Sequence, residues 1–351
     1  MAGLRFPLNV YLLALASALA TTVLTLPLWR KLCLRKDWVD EPGHRKIHEQ
    51  PIALAGGLAV MTGLLLPALV AALILLAEVR PGAGPASSQS ATAADTHQRL
   101  KPFSSEIVAP LLHGLERRAV ELGGIFLGAL GMLAIGWVDD QRELRPAAKF
   151  IAQFLVATFV AASGARITLF VHNAAFQYAV TILWILTLIN AFNFMDNMNG
   201  LCAGLGAIGA LYFAAISASE GQYLVALIAF LIVGALLGFL PYNFPTARAF
   251  LGDSGSHLVG YLLAILAILP HFYSRYNPRP YAVLIPLLVL AVPLGDLLCV
   301  VLIRWRLGKP FYIGDNNHLS HRLVRKGLNR TESVLLIWLL ATGTGGLACL
   351  L

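Results

Sequence analysis

Two adjacent carboxylates, Asp139 and Asp140, close an apolar run after Gly136-Trp137-Val138. Neighbouring carboxylates repel one another unless a cation or a base lies between them. Hard oxygen ligands of this kind suit Mg²⁺, which takes one or two carboxylates plus substrate phosphates; taken alone, the pair also reads as a solvated helix end. A second cluster, Asn190-Ala-Phe-Asn193-Phe-Met-Asp196-Asn197-Met-Asn199-Gly200, ends another apolar run. Asn190, Asn193 and Asn197 fall at i, i+3 and i+7, one face of a helix. Amides in that setting need partners or a watery cleft, or they bond across to a neighbouring helix. Phe250-Leu-Gly252-Asp253-Ser254-Gly255-Ser256 sets small residues and a carboxylate just ahead of a helix. Backbone N–H groups at such a start donate to a phosphate, and the plainer reading is a helix capped by Asp253 or Ser254. Asp315-Asn-Asn-His318-Leu-Ser320-His321-Arg322 suits phosphate recognition and proton traffic, or serves as a basic loop beside a membrane. Two histidines at i, i+3 with no further His or Cys nearby do not make a zinc site. Asp40-Glu41-Pro42-Gly43-His44-Arg45-Lys46-Ile47-His48 follows the first apolar run and doubles as a topology signal. Gly204-x-Gly206-x-x-Gly209 matches a dinucleotide fingerprint in letters only. It lies inside an apolar run with no strand before it, where small residues serve helix packing.

The elements that must position these groups are set by composition. Hydrophobic residues make up 58% of the 351-residue chain and charged residues 13%, with a mean hydropathy of +0.73. A soluble domain carries about 25% charged residues, so lipid must be the solvent for most of this chain. Only helices and closed barrels satisfy their backbone polar groups in a bilayer. The apolar runs have the length of about 17–25 residues that a spanning helix needs and lack the alternation of barrel strands. The expected fold is an all-α polytopic membrane protein of about ten helices, near 8–28, 52–77, 120–138, 149–165, 176–195, 201–218, 221–241, 257–273, 281–302 and 333–351. A single transmembrane domain over 1–351 is expected, with a Pro-, Gly-, Ala- and Ser-rich flexible external loop at 78–119. The net charge of +8 does not imply nucleic acid, because the basic residues sit in short loops. The four cysteines form no CxxC pair and suggest neither a disulfide framework nor a zinc site.

Of the 26 Lys and Arg residues, 17 fall in one alternate set of loops, 29–51, 139–149, 196–200, 242–256 and 303–332. The positive-inside rule makes that set cytoplasmic. Arg5 and the Ala-rich run after it mimic a signal peptide, but the basic cluster just past the run argues for a retained span. All five polar clusters then lie at the cytoplasmic face. Asp296 is the exception, an ionisable group inside the ninth span.

In order and spacing, these motifs, together with Gly56-Gly57 and Pro293-Leu-Gly-Asp296, resemble the polyprenyl-phosphate N-acetylhexosamine-1-phosphate transferase superfamily, glycosyltransferase family 4. The resemblance runs from about residue 36 to 332, leaves the external loop unmatched, and is nearest to the branch that uses UDP-N-acetylglucosamine and undecaprenyl phosphate. The Thr-Pro-Thr-Met-Gly-Gly stretch and triple histidine of the muramyl-pentapeptide branch are absent. Where the family has Asp-Gly-x-Asp-Gly, this chain has Asp196-Asn197-Met198-Asn199-Gly200, and where it has His-x-His-His, this chain has His318-Leu319-Ser320-His321. A metal or base role therefore does not carry over to Asn199, nor a histidine's role to Ser320.

The resemblance implies an enzyme of the bacterial cytoplasmic membrane, with its active site on the cytoplasmic side. A lipid phosphate attacks the β-phosphorus of a UDP-sugar, releasing UMP and leaving a lipid-diphospho-sugar for envelope glycans. It implies Mg²⁺, or Mn²⁺ in its place, held by Asp253 first and by Asp139, Asp140 and Asp196. Asp139, Asp140, Asp253 and His318 are the implied catalytic residues. Arg45, Lys46, His48, Asn190, Asn193, Asp196, Asn199, His321 and Arg322 are the implied substrate contacts. Expected partners are the UDP-sugar, the prenyl phosphate, the membrane and a second copy of the chain, and not nucleic acid. The alternatives are a sister transferase with another UDP-sugar and, more distantly, a transporter, whose polar groups would sit near the midplane of several helices.

Overall fold

The computed structural model describes residues 8–42, 50–79, 113–169, 171–270, 272, 280–310 and 317–351. Helices dominate. They are α1 (Leu8–Arg35), α2 (Gly56–Val79), α3 (Ala119–Arg142), α4 (Pro146–Ala162), α5 (Ala174–Met195), α6 (Leu201–Ser219), α7 (Tyr223–Phe239), α8 (Gly252–Ile268), α9 (Ile285–Val289), α10 (Ala291–Arg306), α11 (Leu319–Arg325) and α12 (Arg330–Ala348). Their starts carry local signals. Pro146 opens α4, where its missing N–H costs nothing. Asn329 and Glu332 form a reciprocal capping box at the head of α12, at 2.9 and 2.8 Å.

Among the described residues, seven helices are long and apolar enough to cross a bilayer, or eight when the bent pair α9–α10 counts as one span. Two shorter apolar helices, α4 and α8, stand at the fourth and eighth expected spans. The outer surface is apolar: Leu24, Val120, Leu183 and Leu339 are each at least 65% exposed. That pattern fits a lipid solvent. In lipid, helices associate through close packing and small residues rather than through hydrophobic burial. Gly204 illustrates this, since a Cβ there would run into the Trp338 ring, and the GxGxxG letters are packing.

The centre of the bundle is α8. Every residue from Ser254 to Ala267 is buried, and α2, α3, α5 and α6 all pack on it. At Gly136 the crossing of α3 over α8 is so close that a Cβ would lie 2.3 Å from the Asp253 carbonyl oxygen. This glycine sets the end of α3 against the start of α8.

The structure departs from the sequence reading in four places. Helix α3 runs on to Arg142, so Asp139 and Asp140 lie within its last turn. The ninth span is two helices meeting at 73°; Pro293 lacks an N–H and crowds the carbonyl four residues back, which breaks the run. Of the expected flexible loop, 80–112 lies outside the described residues, but 113–117 is helical and Arg118 donates to the Leu269 carbonyl at 3.4 Å. A two-stranded antiparallel ribbon, β1 (Val39–Asp40) and β2 (Ile52–Ala53), follows α1 with Asp40 opposite Ile52. Phe250 N–H donates to the Ala53 carbonyl at 2.9 Å, which ties the ribbon to the segment ahead of α8.

Candidate functional site

Four helices meet at one end of the bundle and present two rungs of polar side chains. The upper rung holds Asp139 of α3, Lys149 of α4, Asn193 of α5 and Asp253 of α8. Lys149 Nζ lies 2.6 Å from Asp139 Oδ2 and 3.0 Å from Asp253 Oδ2. The Asn193 amide donates to Asp253 Oδ1 and, at 3.0 Å, to Ser256 Oγ. One turn deeper, at i+4 on α4 and α8 and i−3 on α5, lie Gln153, His257 and Asn190. Asn190 Nδ2 donates to Gln153 Oε1 at 3.2 Å, and Gln153 Nε2 lies 3.4 Å from His257 Nε2.

Asp140 has a different task. Its Oδ1 accepts from the Asp253 N–H at 2.7 Å and its Oδ2 from the Ser254 N–H at 3.0 Å. Gly252, at φ +71°, turns the chain into α8 so that these N–H groups point at Asp140. The helix start does bind an anion, as its sequence suggests, but the anion is a side chain from α3. Neither Asp253 nor Ser254 caps the helix.

A cleft of about 720 Å³ opens above the upper rung, a size suited to a small ligand. Among the described residues, its walls include Asp40, Asp139, Asp140, Glu143, Asp196 and Asp253 against one base, Arg330. Desolvation, followed by the charges of Asp253, Asp140 and Asp40, pushes Asp196 up to about 8. Asn193 and Asn199 also line the cleft, and Asn199 donates to the Pro245 carbonyl at 3.1 Å. Asn190 sits below it in the second rung. Asn197 leaves the expected helical face, because α5 ends at Met195 and Asn197 folds back onto the Phe194 carbonyl.

The histidine segment is adjacent but separate. His318 is buried, with Nδ1 2.7 Å from Asp296 Oδ2, while Asp296 Oδ1 accepts from the Leu319 N–H. The isolated intramembrane carboxylate thus anchors the start of α11. Ser320 Oγ donates to Asn197 Oδ1 at 2.7 Å and joins α11 to the Asp196 turn. The His321 imidazole is held below its ordinary value by burial, then by His318, Arg325 and Arg330. Arg322 is exposed. None of His318, His321 and Arg322 is among the cleft's lining residues. Arg45, Lys46 and His48 fall in 43–49, and Asp315 in 311–316, outside the described residues.

Sequence reasoning missed Lys149, Gln153 and His257. Lys149 reads in the sequence as one of the topology-setting loop charges, yet it stands inside an apolar helix, one turn after Pro146, where a solitary lysine is expensive. Gln153 and His257 each follow a first-rung residue by four positions, which is the signal available in the letters.

An apolar helix bundle with a polar, carboxylate-rich cleft at one end defines a multi-pass membrane protein. Residues 122–271, which carry both rungs, match glycosyl transferase family 4. The chain is 31% identical over 364 residues to the decaprenyl-phosphate N-acetylglucosaminephosphotransferase of Mycobacterium tuberculosis, covering 96% of this chain and 81% of the relative. It is 31% identical to the enzyme of that name from Mycolicibacterium smegmatis, over 88% and 74%. With the undecaprenyl-phosphate alpha-N-acetylglucosaminyl 1-phosphate transferase of Yersinia pestis it shares 25%, over 89% and 76%. The protein belongs to glycosyl transferase family 4.

Proposed function

We propose that the cleft transfers N-acetylglucosamine-1-phosphate from UDP-N-acetylglucosamine to a polyprenyl phosphate. A lipid phosphate oxygen bonds to the β-phosphorus, the bond from that phosphorus to the bridging oxygen breaks, and UMP leaves with the electron pair. The observation that carries this reading is the cleft itself. Among the described residues it is lined by six carboxyl groups and one arginine, and Lys149 pairs with only two of the six, so a cation is needed to offset the repulsion when two phosphorylated reactants meet there. The names of the relatives support the donor and the lipid.

Asp253 and Asp139, with Asp196 across the cleft, are the residues to hold Mg²⁺ or Mn²⁺. The donor set is hard oxygen, and Lys149 already rests a positive charge between Asp139 and Asp253. When bound, the cation screens the two anions and draws charge from the diphosphate. Asn193 orients Asp253 through its amide. Asp140 holds the start of α8 in place. Arg330 offers a positive donor to phosphate at the cleft wall, whereas His321 and Arg322 stand on α11 outside that lining. The chain is read as one transmembrane domain, and the basic bias of its loops supports a cleft on the cytoplasmic side of a bacterial inner membrane.

Vesicles containing the protein, given UDP-N-acetylglucosamine, undecaprenyl phosphate and MgCl₂, are expected to release UMP. EDTA should stop the release. Asp253→Asn, which keeps shape and removes charge, should lower it by about 10²–10³-fold while leaving the protein in the membrane. Full turnover in that variant removes Asp253 from the reaction, and release only with UDP-N-acetylmuramyl-pentapeptide assigns the sister donor instead.

A further inference from the structure

The second rung contains an orphan. His257 is fully buried, and its Nδ1 has no hydrogen-bond partner in the protein. A buried polar group left unpaired is costly and rare. This one lies where it matters: one imidazole nitrogen is within 4.8 Å of carboxylate oxygens of both Asp139 and Asp253. By position alone, His257 is a third ligand for a cation on that pair.

The hydrogen bonds around it argue otherwise. Asn190 Nδ2 donates to the Leu186 carbonyl at 2.8 Å, which fixes the orientation of the Asn190 amide. The same nitrogen faces Gln153 at 3.2 Å, so the Gln153 atom there is the oxygen. Gln153 then turns its NH₂ toward His257 Nε2. An imidazole nitrogen that faces a donor must accept, so Nε2 carries the lone pair and the ring proton sits on Nδ1. Both nitrogens are thereby withheld from a metal. Nε2 has its lone pair occupied by Gln153, and Nδ1 has none to give.

We infer that the Asn190–Gln153–His257 rung is a cation-selectivity device, which locks His257 in the Nδ1–H tautomer and leaves the site beside it with oxygen ligands only. An all-oxygen site favours Mg²⁺, whereas one imidazole nitrogen shifts preference toward transition metals such as Mn²⁺. The inference rests on the proposed cation site at Asp139 and Asp253. Second-rung control of ligand character is a general property of metal centres.

Gln153→Glu tests it. A glutamate keeps an oxygen for Asn190 but presents a second oxygen, not an NH₂, to His257. Nε2 must then carry the proton, and Nδ1 gains the free lone pair. The readout is Mn²⁺ bound to the purified full-length protein, followed by electron paramagnetic resonance with detection of ¹⁴N coupling and by titration against Mg²⁺. Wild type is expected to show bound Mn²⁺ without directly coordinated ¹⁴N. His257→Leu should leave the ¹⁴N-free signal and the preference between Mn²⁺ and Mg²⁺ unchanged. Gln153→Glu should gain a ¹⁴N signal and tighten Mn²⁺ relative to Mg²⁺ by about tenfold, and adding His257→Leu should erase the gain. Directly bound ¹⁴N in wild type overturns the inference and leaves the cation site standing, and it does so even if Gln153→Glu fails to fold. A folded Gln153→Glu with neither new signal nor altered preference also overturns it. Wild type that binds no Mn²⁺, or binds it unchanged in Asp253→Asn, overturns the cation site and this inference together.

Discussion

Lys149 and Asp196 show what single charges do in this cleft. Lys149 offsets Asp139 and Asp253, each too poorly hydrated to stand unpaired beside the other. Removing it as Lys149→Met should destabilise the cation-free protein by about 3 kcal/mol. MgCl₂ should raise the melting temperature of this variant more than that of wild type, because the added ion no longer competes with an ammonium. An equal Mg²⁺ response in both proteins argues against a shared position. Asp196 titrates near 8 rather than at the ordinary carboxylate value. The folded state therefore keeps a proton that the unfolded chain has lost. Its contribution to stability is full below about pH 4 and declines as the pH climbs through about 8. Without divalent cation, melting temperature in detergent should fall between pH 5 and pH 8.5. Asp196→Asn should fall less, and a variant as pH-sensitive as wild type would place the titration elsewhere.

At the scale of elements, the start of α8 is the keystone, and α3 holds it by two devices. Asp140 accepts from the N–H groups of Asp253 and Ser254 in the first turn, and Gly136 permits the contact of backbones. Asp140→Ala should cost about 1–2 kcal/mol of stability, to the same extent with and without divalent cation, because a cap is independent of the ion. A loss confined to the cation-bound protein would make Asp140 a metal ligand instead. Gly136→Ala forces a methyl group onto the Asp253 carbonyl. It should cost about 1–3 kcal/mol and reduce UMP release although no functional group is removed, since Asp139 would be displaced from Lys149 and Asp253. Wild-type melting and turnover in Gly136→Ala would show that the helices can part without loss.

For the whole molecule, the relevant property is sidedness. The cleft gathers the ends of α3 and α5 and the starts of α4, α8 and α12 at one end of the bundle. The other end holds an apolar cavity of about 760 Å³ lined by Arg166, His172 and Trp184. Cysteine labelling distinguishes the two. In a background lacking the exposed Cys299 and Cys349, Glu143→Cys and Arg322→Cys should react with an impermeant reagent from the same side of sealed vesicles, and His172→Cys from the other. Reaction of Glu143→Cys and Arg322→Cys from opposite sides would break the link that Ser320 makes to Asn197.

Much of this was legible in the letters. Solvent class, helical fold and family follow from 58% hydrophobic residues and from motif spacing, because lipid admits few backbone solutions and catalytic groups recur at fixed intervals. Asp139, Asp196, Asp253 and Asn193 were identified as site residues, and the structure sets all four around one cleft. What the sequence could not supply was partnership. Asp139 and Asp140 are adjacent in the chain, yet one meets Lys149 and the other caps α8, because successive side chains on a helix point about 100° apart. Asp296 was a lone intramembrane charge until α11 brought His318 to it. His257 and Gln153 were anonymous residues of apolar helices until packing set them 3.4 Å apart. Composition and period depend on the chain alone. Which donor meets which acceptor depends on how helices cross, and only the tertiary structure decides that.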